Sequence, residues 1–194
     1  MTEAPNADRV LDRLWVGGDL ETADEDVARA QLAALYDAGV RHIVDCRLEW
    51  DDREWVASER PDVDYLWLGV DDAGQTMPDE WFETGRTAVV EQLDGGGASL
   101  VHCHMGINRG PSMGFAVMLR LGWDPLEALD RIIERRPIAY VDYAEDAVDW
   151  WLRREGADEH ARTAAAERVR AWRADRGVDA ADLIRGVRGG PTSG

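Results

Sequence analysis

An apolar run followed by a cysteine and an arginine constrains this chain more than any other feature. The segment SLVHCHMGINR, residues 99–109, sets Cys103 and Arg109 six positions apart around Gly106. If a strand ends before the cysteine and a helix begins near the arginine, the loop amides and the positive helix end favour a bound tetrahedral oxyanion. The same field favours the thiolate form of the cysteine, and the guanidinium can hold two phosphate oxygens. The segment therefore predicts an anion cradle with a nucleophile at its centre.

The rest of the chain alternates strand and helix patterns, which favours a parallel sheet wrapped by helices. Short apolar runs bounded by turn residues predict strands at 10–16, 41–46, 65–70 and 99–101. Helical spacing and end signals predict helices at 23–37, 52–60, 78–93, 111–121, 124–135 and 143–154. Thr76 is predicted to cap the third helix, while Asp124 and Pro125 fit the cap and first position of the fifth. We expect a three-layer α/β fold with a central, mainly parallel sheet of about four to five strands.

Length and composition predict one main domain with an appendage. A chain of 194 residues can bury one sizeable core. We expect a flexible N-terminus at residues 1–8, the main domain at 9–155 and a helical extension at 156–194. Within the extension, helices are predicted near 159–174 and 180–186, followed by a disordered end at 189–194. The extension is interpreted either as a helical pack against the core or as a surface for a partner or a homo-oligomer.

Charge and cysteine content exclude several classes of function. The formal net charge of −17 opposes binding to nucleic acids and to anionic membranes. No run of 18 apolar residues occurs, and the first residues lack the basic and apolar zones of a signal peptide, so a cytoplasmic protein is expected. The two cysteines, Cys46 and Cys103, are too few for a disulfide scaffold. No Cys/His spacing suggests zinc or another metal.

His102 and Cys103 are followed by five residues and then by Arg109, and Gly106 is the third of the five. This motif resembles a known signature. It is similar to the phosphate-binding loop of the cysteine-dependent protein tyrosine phosphatases. Over residues 9–155 the chain is most similar to their compact dual-specificity branch, which the segments 13–17 and 42–45 also fit. The resemblance implies a dual-specificity phosphatase-like fold, with the phosphatase catalytic domain at 9–155. Its implied substrate is a phosphorylated protein or a small phosphomonoester, with phosphotyrosine as the default.

The resemblance also implies the chemistry. Cys103 would attack phosphorus and form a cysteinyl phosphate, while Arg109 clamps the phosphate oxygens. Asp72, in the loop after the third predicted strand, would protonate the leaving group and then activate water, with Asp71 as the alternative. Asp79 is interpreted as a structural residue of the following helix. No metal or other cofactor is required. The phosphate-binding residues would be His104, Met105, Gly106, Ile107, Asn108 and Arg109.

The sequence departs from the family's pattern next to the arginine. The family places a Ser or Thr there, whose hydroxyl helps the cysteine leave, but this chain has Gly110. Asn108 stands where a Ser is common, and Ser112 lies two places beyond the glycine. We therefore expect slow hydrolysis of the phosphoenzyme. The alternative functions are a slow or inactive pseudophosphatase that binds phosphorylated partners, and sulfur transfer on a rhodanese-like loop.

Three residues near the predicted cradle carry further expectations. Cys46 is either a partner that forms a reversible disulfide with the nucleophile, as the resemblance implies, or a small buried apolar side chain. Arg47 is expected to pair with Glu49 or Asp51 rather than to bind substrate. His102 is expected to orient the cysteine loop through hydrogen bonds.

Overall fold

Five strands form one mixed sheet in the computed structural model, which describes residues 4–177 and residues 183, 185 and 186. The strands are β1 (Ala7–Leu11), β2 (Leu14–Gly17), β3 (Val40–Arg47), β4 (Asp64–Val70) and β5 (Ala98–His102). Their order across the sheet is β1-β2-β5-β3-β4. Only the pair β1 and β2 is antiparallel among the strand pairs of the described residues. The expectation of a mainly parallel sheet is confirmed.

Seven helices of the described residues accompany the sheet. They are α1 (Glu25–Asp37), α2 (Arg53–Glu59), α3 (Asp79–Asp94), α4 (Arg109–Arg120), α5 (Pro125–Arg135), α6 (Ala144–Arg154) and α7 (Glu159–Arg176). Alternate strand residues face opposite layers: Ile43 packs with α1 and α2, whereas Val44 packs with α3 to α6. The sheet therefore lies between two helical layers, which is the expected three-layer α/β architecture.

The segment predicted as one strand at 10–16 is a hairpin, so that prediction was wrong. β1 and β2 pair around the turn at Asp12 and Arg13. Val10, Leu14 and Val16 are all fully buried on one side of the hairpin. A two-residue turn alone would shift the alternation by one position, but the register shift in β1 between Arg9 and Leu11 restores it, so the apolar pattern runs through the hairpin without a break.

Two helix starts also differ from their predictions. α4 begins at Arg109 rather than at Pro111, because proline is tolerated throughout the first helical turn, where amides have no helical acceptor. Arg109 is therefore part of the helix that faces the predicted anion. α3 begins after Pro78, and Thr76 does not cap it. Nearly the whole of α4 is buried, since it packs against the sheet, α3, α5 and α6.

The extension begins with α7, which packs against α6 and α5. The helix predicted at 180–186 and the disordered end predicted at 189–194 fall outside the described residues, apart from residues 183, 185 and 186, which are helical. At the other terminus, β1 starts at Ala7, within the segment expected to be flexible. Among the described residues, no helix combines the length and apolar character needed to cross a bilayer.

Replacing Asp124 with alanine is expected to lower the free energy of unfolding by about 1 kcal/mol. Its carboxylate accepts hydrogen bonds from the amides of Leu126 and Glu127 at the start of α5, at 2.8 and 3.4 Å. Asp124→Asn is the matched control, because it keeps an oxygen acceptor but loses the charge that lies 3.6 Å from Arg168. Urea unfolding should show the loss for alanine and little change for asparagine. Equal losses would show that the charge matters and the cap does not.

Candidate active site

The loop from Cys103 to Asn108, between β5 and α4, forms the floor of a cavity of about 310 Å³. Four chain segments line the cavity, with the residues Glu49, Asp72, Gly74, Cys103, His104, Met105, Ile107, Asn108, Arg109, Tyr140 and Asp142. The structure thus brings together the predicted nucleophile, acid and phosphate clamp. Of the predicted phosphate-binding residues, only Gly106 is not in the lining, because it is buried beneath the loop surface.

Gly106 occupies a backbone position that no other residue fits. Its φ of 68° lies in the left-handed region that favours glycine. A Cβ atom there would lie 2.1 Å from Nη2 of Arg136 and 2.5 Å from the carbonyl carbon of Gly17. The close approach of these two neighbours therefore requires the glycine that the sequence places in the middle of the loop.

The carbonyl oxygens of the loop accept hydrogen bonds from outside it. Arg136, at the end of α5, donates from Nε to Gly106 at 2.6 Å and from Nη2 to Met105 at 3.0 Å. The carbonyls on either side also have donors. The Asp19 amide donates to His104 at 3.0 Å, and the Tyr140 amide donates to Ile107 at 2.7 Å. With these carbonyls turned outward, the loop amides are turned toward the cavity. Within the described residues, none of the amides of residues 104–109 donates to a protein acceptor.

Arg136 supports the loop and was not predicted from the sequence. It is 2% exposed, and burial lowers the pKa of its guanidinium below the ordinary value, against the effect of the nearby Asp8 carboxylate. Its Nη1 atom pairs with Asp8 at 2.8 Å, and Nη2 donates to the Asn6 side chain. The residue thus ties the N-terminal segment to the loop. No motif surrounds it in the sequence, so no local signal could have singled it out.

Arg109 presents one edge of its guanidinium to the cavity. Glu49 accepts hydrogen bonds from Nη1 and Nη2 at 2.9 and 2.7 Å, and the Val70 carbonyl accepts from Nη1 at 3.0 Å. Nε is buried and makes no hydrogen bond within the described residues, although Oδ2 of Asp72 lies 3.4 Å away. Burial would lower the pKa of Arg109, but the Glu49 carboxylate and the neighbouring Cys103 thiol raise it above its ordinary value. The Nε and Nη2 edge fits bidentate phosphate binding.

Asp72 is held at the cavity by two donors. Its Oδ1 atom accepts a hydrogen bond from the Asn108 amide group at 2.6 Å and from the Tyr143 hydroxyl at 2.9 Å. Asp71, the alternative acid, is exposed and its Oδ1 atom accepts from the amide of Asp72. Asp79 lies in the first turn of α3 and pairs with an arginine of α6. Of these three aspartates, only Asp72 lies in the cavity lining.

Asn108 connects the loop, the acid and α4. Its side-chain oxygen accepts hydrogen bonds from the amide of Asp142 at 2.7 Å and from the Ser112 hydroxyl at 3.3 Å. The serine hydroxyl is thus engaged with the asparagine. Gly110 lies close to the end of β5, since a Cβ atom there would be 3.0 Å from backbone atoms of His102. A side chain at this position would therefore be tightly packed against the strand.

A strained turn forms a further wall of the cavity. The turn consists of residues 140–143, which we call the 140–143 loop. Val141 is buried with a φ of 57°, the left-handed region, which costs a β-branched residue about 1–3 kcal/mol. This conformation lets the amides of Tyr140 and Val141 both donate to the Ile107 carbonyl, at 2.7 and 3.4 Å, and the amide of Asp142 donate to Asn108. The sequence gives no glycine or other sign of this turn.

Arg47 lies beneath the cavity, fully buried, where it does not reach substrate. It pairs at 2.8, 2.7 and 2.6 Å with three carboxylates, those of Asp19, Asp45 and Asp52. The predicted pairing with Glu49 or Asp51 was wrong, because Glu49 turns instead toward Arg109. That pairing lowers the pKa of Glu49 to about 2.

The ion pairs around Arg47 extend through Asp19 to the rim of the cavity. Asp19, which pairs with Arg47, also contacts Nδ1 of His104 at 2.5 Å. The His104 ring in turn meets the Trp50 ring edge-on, with centroids 5.2 Å apart. Trp50 is 39% exposed, so it is a rim residue rather than the core residue that a tryptophan usually is.

His102 and Cys46 flank Cys103 from within the sheet. His102 Nδ1 is buried without a hydrogen-bond partner in the described residues, and Nε2 lies 3.7 Å from Asp45. The geometry thus differs from the expected hydrogen-bonded role in orienting the loop. Cys46 follows the residue that pairs with His102, which sets it beside Cys103. Cys46 is buried and reduced, and burial raises the pKa of its thiol.

Comparisons with solved structures identify the fold. Human DUSP28 superposes with a TM-score of 0.65 and 21% sequence identity, over 78% of this chain and 96% of its own. PTPMT1 gives a TM-score of 0.64 and 19% identity, over 77% of this chain and 96% of its own. Tk-PTP in its active form gives 0.61 and 20%, over 77% and 98%. No family model and no curated protein sequence matches the chain.

These likenesses, together with the loop geometry, define the class of architecture. The chain has the fold of the dual-specificity branch of the cysteine-dependent protein tyrosine phosphatases. The resemblance that the signature loop indicated is therefore confirmed for the fold. The comparisons show the fold, and the activity is a proposal.

The free energy of unfolding is expected to decrease as the pH falls below about 6.5, because of His102. Burial lowers the pKa of this imidazole from 6.5 to about 4, so the folded protein holds the neutral ring. As pH falls from 6.5 toward 4, the unfolded chain binds the proton first, which costs about 1.4 kcal/mol of folding free energy per pH unit. His102→Asn should flatten this part of the curve, whereas replacing the exposed His160 with asparagine should not. Urea unfolding at several pH values measures the slopes; an unchanged slope in His102→Asn would contradict this account.

Proposed function

We propose that the chain hydrolyses phosphomonoesters, as a tyrosine or dual-specificity phosphatase, through a cysteinyl-phosphate intermediate. One observation carries the proposal: four kinds of group converge on a single cavity. They are the thiol of Cys103, the unpaired amides of residues 104–109, the Nε and Nη2 edge of Arg109 and the carboxylate of Asp72. Inward amides and a guanidinium edge bind a tetrahedral oxyanion, and a thiol beneath it is placed to attack.

In the first step the thiolate of Cys103 attacks phosphorus. The loop amides and Arg109 hold the three equatorial oxygens while the sulfur–phosphorus bond forms and the bond to the leaving oxygen breaks. Asp72 gives its proton to that oxygen. The carboxylate suits this role because Oδ1 is held by Asn108 and Tyr143, while Oδ2 lies beside Arg109, on the cavity side. Fixing one oxygen leaves the other to carry the transferred proton.

In the second step water attacks the phosphocysteine. Asp72, now ionised, takes a proton from the water, the sulfur–phosphorus bond breaks, and inorganic phosphate leaves. The cysteine departs as a thiolate. Gly110 supplies no hydroxyl to assist that departure, and the Ser112 hydroxyl is bonded to Asn108. We therefore propose that breakdown of the intermediate is the slow step.

The cavity walls favour aromatic monoesters. Tyr140 forms one wall, and an aromatic ring that follows the phosphate would pack against it. The lining also contains the carboxylates of Glu49, Asp72 and Asp142, which repel additional phosphate groups. Phosphotyrosine fits both features, because it joins one phosphate to one ring. Substrates with several phosphates fit neither.

Asp72→Asn is expected to lower kcat/KM for phenyl phosphate by about 10²–10⁴-fold, since phenol leaves poorly without a proton. The loss for p-nitrophenyl phosphate should be much smaller, because p-nitrophenol is the more acidic leaving group. Asp71→Asn is the matched control and should change neither rate by more than a few fold. Cys103→Ser should remove turnover of both substrates. Turnover that survives in Cys103→Ser would refute the nucleophile, and equal losses in the two aspartate variants would refute the acid.

A rapid-quench assay with p-nitrophenyl phosphate should show a burst of nitrophenol of about one equivalent per active site, followed by a slower steady rate. The burst reflects fast formation and slow hydrolysis of the phosphoenzyme. Ser112→Ala should leave it unchanged, because the serine hydroxyl serves Asn108 rather than the sulfur. A linear time course without a burst would contradict the proposed slow step. If the protein binds vanadate at the cavity but never hydrolyses the substrate, the alternative of a pseudophosphatase that binds phosphorylated partners is favoured.

A further inference from the structure

The helix α7, which lies outside the predicted catalytic domain, reaches the back of the active site through one side chain. Arg173 donates from Nη2 to the carbonyl oxygens of Val141 and Asp142, at 2.9 and 3.1 Å. Its Nη1 atom pairs with Glu145 at 3.1 Å, and its guanidinium lies over the Tyr140 ring, 5.2 Å from the centroid. One arginine therefore contacts three consecutive residues of the 140–143 loop.

The 140–143 loop needs such a support because of its backbone. Val141 is a β-branched residue in the left-handed region, with a φ of 57°, and it returns to an extended or helical conformation unless its surroundings hold it. Its carbonyl and that of Asp142 point toward α7. Hydrogen bonds from a charged donor are stronger than those from neutral donors, so Arg173 holds the two carbonyls firmly in this direction.

The held carbonyls fix the orientation of the amide that follows Val141. That amide, of Asp142, donates to the side-chain oxygen of Asn108 at 2.7 Å. An amide side chain whose oxygen accepts at one end presents its NH₂ group at the other, where it donates to Oδ1 of Asp72 at 2.6 Å. A continuous series of contacts thus leads from α7 through the 140–143 loop to the carboxylate proposed as the general acid.

Other arginines of α7 pair with carboxylates but do not reach the loop. Arg170 also pairs with Glu145, at 2.7 Å, yet it is well exposed and contacts no loop carbonyl. Arg162 and Arg176 pair with Asp149 and Asp130, on α6 and α5. A comparison of Arg170 with Arg173 therefore separates two contributions of α7. Arg170 contributes to docking the helix, while Arg173 contributes to docking and also holds the loop.

We propose that Arg173 is a positioning residue for the phosphatase reaction, and that through it the C-terminal extension completes the active site. The inference rests on the proposed function, because it assigns the extension a part in aligning Asp72. Without Arg173 the 140–143 loop relaxes, and Asn108 keeps only the longer hydrogen bond from Ser112. The contact of Asn108 with Asp72 then loosens, and Tyr143 is the remaining firm donor to Asp72. The acid then protonates the leaving oxygen less often, while the nucleophile and the phosphate clamp stay in place.

Leaving-group dependence tests this proposal in the full-length chain. Arg173→Met should lower kcat/KM for phenyl phosphate about tenfold, and kcat/KM for p-nitrophenyl phosphate less than about threefold, because kcat/KM reports the first step, in which phenol depends more than p-nitrophenol on a well-placed proton. We compare kcat/KM because kcat reports the slow hydrolysis of the phosphoenzyme, which is common to both substrates. Arg170→Met, the matched control, should leave both substrates unaffected. Arg173→Lys keeps the charge but lacks the planar fork, so it should fall between the wild type and the methionine variant.

Hydrogen exchange at the Asp142 amide gives a second measurement that requires no catalysis. This amide should exchange at least about tenfold faster in Arg173→Met than in the wild type, with no change in Arg170→Met. If Arg173→Met does not fold, Arg173→Lys serves for both measurements. The proposal is overturned if the two methionine variants behave alike, or if Arg173→Met lowers kcat/KM equally for both substrates. An inactive wild type would refute the proposed function instead, and the exchange data would still decide whether Arg173 holds the loop.

Discussion

The direction of four carbonyl oxygens in the loop from Cys103 to Asn108 is the constraint on which the site depends. A buried carbonyl without a donor costs about 1–3 kcal/mol, so the loop takes the conformation in which each finds one. Two of the donors belong to a single buried guanidinium, that of Arg136, and the others are backbone amides. Because a peptide unit is planar, a carbonyl turned outward turns the next amide inward. The anion cradle is thus specified from outside the cavity.

The sheet decides which groups can share that cavity. β3, β4 and β5 are parallel, so their carboxyl ends meet at one edge, where ligand sites of open α/β sheets form. Glu49 follows β3, Asp72 follows β4 and Cys103 follows β5. The clamp comes from the first turn of α4, immediately beyond. Asn108 then joins the loop to the acid, and the 140–143 loop joins Asn108 to α7. The groups proposed to react are therefore held in place by neighbouring residues.

The loop motif was predictable because its signals are local in the sequence. Residues that act through long-range contacts were not predictable. The strand, Gly106 and Arg109 lie within eleven residues, and the cap of α5 is two adjacent residues, so the sequence alone predicts both. The β1–β2 turn was not predicted because a register shift in β1 keeps the apolar alternation in step across it. Arg136 and Arg173 act on atoms about thirty positions away and are two of 22 basic residues, so no pattern distinguishes them. The partner of Arg47 was mispredicted for the same reason: sequence proximity favoured Glu49, whereas packing turned it toward Arg109.

The central claim is that Cys103 carries the phosphoryl group during turnover. Mass spectrometry of the protein quenched in acid during reaction with p-nitrophenyl phosphate measures this directly. The account predicts one added phosphoryl group on the peptide that contains Cys103, which disappears when substrate is exhausted. Turnover with the group on another residue, or with no phosphorylated peptide at any quench time, would contradict it.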